Sequence, residues 1–448
     1  MTSRPASMLL PALVMALYPF GLEAQQMAAI EPDSIAVQFL DRLSQRDFQH
    51  AFESMSDQMK AALPEAKLEE VWQTLQSQAG SYQHRDQVHS ESSGAYRVVL
   101  IGATFEKSPL NVKVSIDAQG RVAGLFFLPV AQPAASVAPP AGVSEREVKV
   151  GGSGWPLGGT LTLPAGVQRA PLVILVHGSG PHDRNETIGP NMPFRDLAHG
   201  LAERGVAVLR YDKRTFVYPE RMATEGVKTM TVEDEVIADA LAAADSARHW
   251  AGVDPGRIYI LGHSLGGYLV PRMLGRDSHV AGGIILAGST RHLEDILLEQ
   301  LDYLASQQGG GDKGDAAQRE MLRNQAFKIK SLTDKDRDLP GFLVGAPASY
   351  WLDLRKYDPV QMAAAQSAPL LILQGNRDYQ VTAADFSGWQ RLSSRGKVTL
   401  HEYPELNHLF IGGTGPSTPA EYQREGHVDG RVIADIAEWI TRPAAPRP

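Results

Sequence analysis

Residues 257–268 read RIYILGHSLGGY, and few stretches constrain a fold as tightly. Ile258, Tyr259, Ile260 and Leu261 form an apolar run of the length and β-forming composition of a buried strand, and the residues after Ser264 have the character of a helix. Between them Gly262-His263-Ser264-Leu265-Gly266 fits G-x-S-x-G, the signature of a sharp strand-to-helix turn with a serine at its tip. A side chain at either flanking glycine would collide with the neighbouring strand or helix, so the pattern dictates backbone shape as well as chemistry. A serine held on such a turn presents its hydroxyl clear of the sheet, within reach of a carbonyl. Ser264 is therefore the expected nucleophile.

The chain around this turn alternates strand and helix. An antiparallel pair is expected at 146–150 and 158–163, then a continuous apolar strand at 172–176, a helix at 194–204, a strand at 206–210 and a longer helix at 231–250. After the 257–268 stretch come strands at 283–286, 370–373 and 398–403, a helix near 383–392 and an amphipathic helix at 428–440. Continuous apolar strands separated by helices imply a doubly wound, mostly parallel sheet covered on both faces, an α/β architecture. Residues 289–368 interrupt the alternation with helical segments and a Gly-rich charged patch at 309–314, and are expected to cap the mouth of a site.

Residues 30–130 have a different pattern. Ile35, Phe39 and Leu43 recur at helical spacing, further helical stretches cover 48–63 and 65–78, and β-formers follow at 96–105, 112–116 and 122–128, with a turn at 117–120. This reads as a small α+β domain. A Pro- and Ala-rich linker at 131–143 separates it from the catalytic domain at 144–445. His50, His84 and His89 are scattered, without ligand spacing.

The termini and composition bound the rest. Arg4, the uncharged and mostly apolar run 8–17, and Leu22-Glu23-Ala24 before Gln25 resemble an export signal over residues 1–24. Its apolar core is too short for a bilayer span, so a periplasmic or secreted protein without a stable membrane span is expected. The net charge of −8, with no dense Lys/Arg run, argues against nucleic acid as a partner. The absence of cysteine excludes disulfides, thiolate metal sites and a cysteine nucleophile.

A serine hydroxyl needs a base, and the base needs a carboxylate to orient it; this turn class places them in the chain order Ser, acid, His. The strand at 370–373 runs into a loop ending at Asp378, the expected orienting acid, with Asp385 as rival. His408 follows the last strand and is the expected base; His401, inside that strand, and His427, at the start of the last helix, are weaker candidates. His263 is expected to be structural, its side chain pointing away from Ser264. Negative charge on the substrate oxygen calls for preorganised N–H donors. The amide of Leu265 is one candidate, and Ser179, in the Gly-rich turn after residues 172–176, is the other, with Gly180 as rival.

The segments HGSGPHDRNE (177–186), PFRDLAHGLAERGVAVLRYDKR (193–214), GHSLGG (262–267), QGNRDYQV (374–381) and LNHLF (406–410) together resemble the α/β-hydrolase superfamily. The similarity is greatest to bacterial serine esterases of the lysophospholipase and dienelactone-hydrolase-like groups. The first domain resembles small domains of unknown function that precede exported hydrolases. The resemblance implies cleavage of small or medium acyl esters through an acyl-enzyme, with Ser264, Asp378 and His408 as triad and with neither metal nor cofactor. A serine peptidase or acyl-peptide hydrolase of the same fold is the alternative, and a non-catalytic binding protein on a hydrolase scaffold is a third reading. Thr215 departs from the glycine common after the Tyr-Asp-Lys-Arg run in relatives, in a loop that borders their pocket. Arg184 and Arg214 are candidates for an acidic substrate group or for structural ion pairs. Oligomeric state and the role of the first domain are left open.

Overall fold

The computed structural model describes residues 32–93, 96–129, 138–151, 154–219, 221–222, 229–307, 313–339 and 341–442. The segment read as an export signal and most of the linker lie outside them. The chain divides into two compact units between Val137 and Ala138.

The smaller unit has four helices, Pro32–Ser44, Phe48–Glu53, Asp57–Ala62 and Glu65–Ala79, and a four-stranded antiparallel meander. Its strands are β1 (Tyr82–Ser93), β2 (Tyr96–Phe105), β3 (Pro109–Ile116) and β4 (Val122–Pro129). Phe39, Leu40 and Leu43 from the first helix and Trp72 from the fourth bury against Val99, Ile101, Val112 and Val114 of the sheet. Two features differ from the periodicity reading. The stretch at 48–63 breaks into two helices at Ser56, whose Oγ accepts from the Met59 amide at 3.2 Å and starts a new turn. The sheet also has one strand more than expected: β1 is an edge strand with Val88 as its only aliphatic residue, so no alternation marks it. His50 and His84 sit on the surface beside Asp47 and Asp86.

The larger unit is built on an eight-stranded sheet: β5 (Val143–Val150), β6 (Leu157–Pro164), β7 (Arg169–Val176), β8 (Ala207–Tyr211), β9 (Gly252–His263), β10 (Gly282–Leu286), β11 (Leu370–Gly375) and β12 (Val398–Tyr403). Their spatial order is β12-β11-β10-β9-β7-β8-β6-β5. β5 and β6 pair antiparallel, β6 meets β8 antiparallel, and every pairing from β8 to β12 is parallel. β5 begins within the stretch read as linker. Alternate residues of each central strand enter opposite layers. On one face Leu172, Ile174, Ile258 and Ile260 meet Ala240, Ala243 and Ala244 of helix Ala238–Ala247 and Leu269 and Met273 of helix Leu265–Leu274. On the other, Val173, Leu175, Leu261 and Leu371 meet Phe194, Leu197 and Leu201 of helix Pro193–Ala202 and Val432 and Ile436 of helix Gly430–Thr441. Burial on both faces explains why these strands read as continuous apolar runs. Before Ala238 the helix opens into a π-helical turn, Glu233–Ile237.

Between β10 and β11 the chain forms helices Leu293–Gln307, Lys313–Ser331, Ala348–Arg355 and Pro359–Ala365. No helix among the described residues is long and apolar enough to cross a membrane. Because β7 to β12 are parallel, the loops after them open at one edge of the sheet, where an α/β protein places its chemistry.

Candidate active site

Ser264 follows β9 directly and has φ 55° and ψ −115°, a conformation that a non-glycine residue adopts only under constraint. Its N–H donates to the Leu286 carbonyl at 2.9 Å, and its own carbonyl accepts from Tyr268 at 2.9 Å, which starts the helix. The flanking glycines are sterically required. A Cβ on Gly262 would stand 2.2 Å from the Gly266 carbonyl carbon, and one on Gly266 would stand 2.3 Å from the Val176 carbonyl oxygen. Leu265 is the first residue of the helix, so its N–H is one of the amides that have no acceptor within the helix.

Asp378 and His408 come from separate loops, after β11 and β12, and meet: His408 Nδ1 lies 2.6 Å from Asp378 Oδ2. The other carboxylate oxygen is occupied, Oδ1 accepting from the amides of Gln380 at 2.7 Å and Val381 at 3.0 Å. Both side chains are buried. The loops thus fix the carboxylate, and the carboxylate dictates that Nδ1 carries the proton. The histidine is in turn tied to the serine turn. His263 Nε2 donates to the His408 carbonyl at 3.0 Å, and the two imidazole rings pack with centroids 4.7 Å apart.

The rival residues lie elsewhere. Asp385 is wholly buried and accepts from the amides of Thr290 and Arg291 and from the Arg291 guanidinium, so it fastens the start of the insertion. His401 faces Asp435, and His427 faces Asp196. Arg184 is shared between Glu147 and Asp212, while Arg214 pairs with buried Asp239.

The Gly-rich turn after β7 abuts the serine, since a Cβ on Gly178 would lie 3.1 Å from Ser264 Cβ. Ser179 and Gly180 are exposed. Several side chains hold this loop. Glu186 Oε1 accepts from the Gly178 amide at 2.7 Å, and Lys213 Nζ donates to the Gly178 and Gly180 carbonyls at 2.8 and 2.9 Å. His182 Nε2 donates to the Ser179 carbonyl at 2.7 Å. Burial pulls the His177 imidazole down to about 3, so the ring is neutral, and its Nε2–H donates to the Asp183 carbonyl at 2.9 Å.

His263 is more than a packing residue. Its Nδ1 lies 2.8 Å from Glu186 Oε2, an ion pair out of line for a straight hydrogen bond. Burial alone would lower the imidazole and raise the carboxyl; each partner's charge reverses this, lifting His263 and holding Glu186 down at about 2. One buried pair therefore joins the Gly178 amide, the residue before Ser264 and the His408 backbone.

The insertion reaches the same edge. Gln300 Nε2 donates to the Gln380 carbonyl at 2.9 Å, and the Tyr303 hydroxyl donates to the Ser417 carbonyl at 2.8 Å. The ring of Tyr303 stacks on Tyr379, next to Asp378, at 5.1 Å.

The five residues expected from the sequence thus follow strands β7, β9, β11 and β12 at one sheet edge, four in turns or loops and Leu265 at the start of a helix. Glu186, Lys213 and Glu235, which Lys213 contacts at 2.7 Å, escaped the sequence reading. The first two lie within residues 177–186 and 193–214, as ionisable residues in loops that follow buried strands, Lys213 two residues past β8 and Glu186 ten past β7. That context is a usable signal.

Known proteins resemble this chain in sequence and in fold. A model described as the Alpha/beta hydrolase family matches residues 173–427, and one described as a Protein of unknown function (DUF3887) matches residues 36–125. A protein named Esterase EstD from Thermotoga maritima is 38% identical over 414 residues, which is 92% of this chain and 95% of the relative. Among solved structures, a putative dienelactone hydrolase from Klebsiella pneumoniae superposes with TM-score 0.39 at 17% identity, over 67% of this chain and 99% of the other. An esterase from Pyrococcus furiosus superposes with TM-score 0.42 at 15% identity, over 66% and 91%.

Proposed function

Because this chain belongs to the alpha/beta hydrolase family, we propose that it is a serine carboxylesterase working through an acyl-enzyme on small or medium acyl esters. The observation that carries the reading is the 2.6 Å contact of His408 Nδ1 with Asp378 Oδ2, on a histidine packed against the residue that precedes Ser264. The name of the 38% identical relative supports the choice of esters.

With Nδ1 committed to Asp378, Nε2 of His408 is the nitrogen that accepts the Ser264 proton as Oγ attacks the ester carbonyl. The oxyanion forms facing the amides of Leu265 and Ser179. Collapse expels the alcohol, which takes the proton from His408 Nε2, and leaves the acyl group on Ser264 Oγ. Water then attacks by the same route, its proton passing through His408, and releases the acid. No step in this scheme calls for a metal or cofactor. The imidazolium formed at each attack sits against the Asp378 carboxylate, which the Gln380 and Val381 amides hold in place.

Steady turnover of p-nitrophenyl acyl esters, with none of aminoacyl-nitroanilides, is the expected result. The reverse preference would make the chain a peptidase. A panel of esters of increasing acyl length then fixes the size of substrate.

The proposal includes export to the periplasm or beyond, supported by Arg4, the apolar run 8–17 and Leu22-Glu23-Ala24. Mass spectrometry of protein from the native host is expected to find Gln25 as the first residue. A retained Met1 in the soluble cell fraction would contradict export.

A further inference from the structure

We propose that Lys213 is a positioning residue for the oxyanion site: by holding the Gly178 carbonyl it turns the Ser179 N–H toward the substrate, and Glu235 links it to Tyr350 of the insertion. The inference rests on the serine-hydrolase reading above and deepens it.

Lys213 lies just past β8 and is 2% exposed. A buried ammonium is tolerated only when its donors are matched. Its Nζ has Gly178 O at 2.8 Å, Gly180 O at 2.9 Å and Glu235 Oε1 at 2.7 Å, so all its N–H groups find acceptors. Two of those acceptors are carbonyls of the loop beside Ser264, an arrangement that does more than neutralise a charge. In a trans peptide the carbonyl and the following N–H point to opposite sides of the plane, and the described residues contain no cis bond. Fixing Gly178 O on the buried Nζ therefore sends the Ser179 N–H the other way, toward the exposed side of the loop. The Gly178 N–H is committed to Glu186, and Pro181 has no N–H to offer. The remaining amide, that of Gly180, belongs to the peptide whose carbonyl accepts from His182, so its direction depends on His182 and not on Lys213. Ser179 and Gly180 are thereby distinguishable by experiment.

The far side of the relay explains why the lysine stays put. Glu235 lies in the π-helical turn Glu233–Ile237, a local widening that often marks a functional position. Its second oxygen accepts from the Tyr350 hydroxyl at 2.6 Å. Burial pushes that hydroxyl well above its ordinary value, which keeps it a donor. Tyr350 belongs to helix Ala348–Arg355, so the insertion and the oxyanion loop share one hydrogen-bonded line.

The test compares wild type with Lys213→Met, with Lys213→Met/Glu235→Gln, which leaves no unpaired buried charge, and with Tyr350→Phe. Each is assayed for kcat and KM on p-nitrophenyl butyrate and for inhibition by an alkyl trifluoromethyl ketone, whose tetrahedral adduct needs the same donors. Melting temperature and near-UV circular dichroism confirm folding. The double variant is expected to lose about 10²- to 10³-fold in kcat, the cost of one oxyanion donor, with KM within about threefold. Its affinity for the ketone should fall in step with kcat/KM. Tyr350→Phe, which removes one oxygen, should show the same pattern at about a tenfold loss and reports on the relay even where the lysine variants fail to fold. A folded double variant with kcat within threefold of wild type, unchanged ketone affinity, or a large loss in His182→Ala instead would overturn the assignment. A wild type that hydrolyses no ester would overturn the parent reading, whereas an active wild type with an indifferent Lys213 sinks this inference alone.

Discussion

Gly266→Ala is a substitution whose effect follows directly from the shape of the turn. The added Cβ would lie 2.3 Å from the Val176 carbonyl oxygen and 2.8 Å from that of His177. Carbon–oxygen contacts settle at about 3.3–3.6 Å, so the 2.3 Å approach leaves a shortfall of about 1 Å. Both obstacles are backbone atoms at the end of β7, packed at the centre of the sheet, and cannot swing aside as a side chain would. Either the Ser264 turn or the start of the Gly178 loop must move by that distance. A misplacement of about 1 Å costs on the order of 10²-fold in rate. Overpacking adds a stability loss of about 1–3 kcal/mol. Gly267→Ala is the control, because its Cβ would lie 3.0 Å from Gly262 O and 3.1 Å from Gly288 Cα, a strain that a few tenths of an ångström relieves. The assay is kcat on a p-nitrophenyl ester, normalised to protein that melts cooperatively. The expected order is wild type, Gly267→Ala within about tenfold, and Gly266→Ala lower by about 10²-fold. A Gly266→Ala enzyme with wild-type kcat and melting temperature would refute the claim that this contact sets the nucleophile's position.

Other expectations follow from the same geometry. In Asp378→Asn the side-chain oxygen is drawn to the Gln380 and Val381 amides, so the NH₂ faces His408 and forces the wrong tautomer. Titration of wild type and mutant should show kcat down by about 10⁴-fold with the fold intact. Asp385→Asn, by contrast, should lower the melting temperature through its weakened hold on Arg291 while kcat stays within threefold. The His263–Glu186 pair makes stability depend on pH. Burial alone would lower His263, but Glu186, the His408 carbonyl and Asp378 together lift its folded value above 6.5, so its contribution is complete below that ordinary value and drains away as pH rises through the raised one. Melting temperature measured upward from pH 6 should therefore fall more steeply in wild type than in His263→Asn. Equal slopes would rule out a protonated His263.

The parts of the site legible in the sequence are those that follow strands. Ser264 and Asp378 sit just past apolar runs that burial on both faces of a parallel sheet makes conspicuous. His408 follows the part-exposed edge strand β12 and is legible from its place after the final strand and the chain order Ser, acid, His. What was not legible depends on partners far apart in the chain. Lys213 meets Gly178 from 35 residues away, and nothing local in the Tyr-Asp-Lys-Arg run shows where that ammonium points. Glu235 reads as an ordinary helix carboxylate until the π-helical turn directs it inward. His263 reads from the sequence as structural, but its two partners, Glu186 and the His408 carbonyl, are ones that no spacing rule predicts. In the smaller unit β1 was invisible because an edge strand rich in polar residues lacks the alternation that exposes β2 and β3.

Peptide mass spectrometry after reaction with a fluorophosphonate tests the central claim most directly. A single adduct on Ser264, lost in Ser264→Ala together with about 10⁴- to 10⁶-fold of ester turnover, is the predicted result. An adduct on any other residue, or a Ser264→Ala protein that still turns over esters within tenfold of wild type, would contradict it.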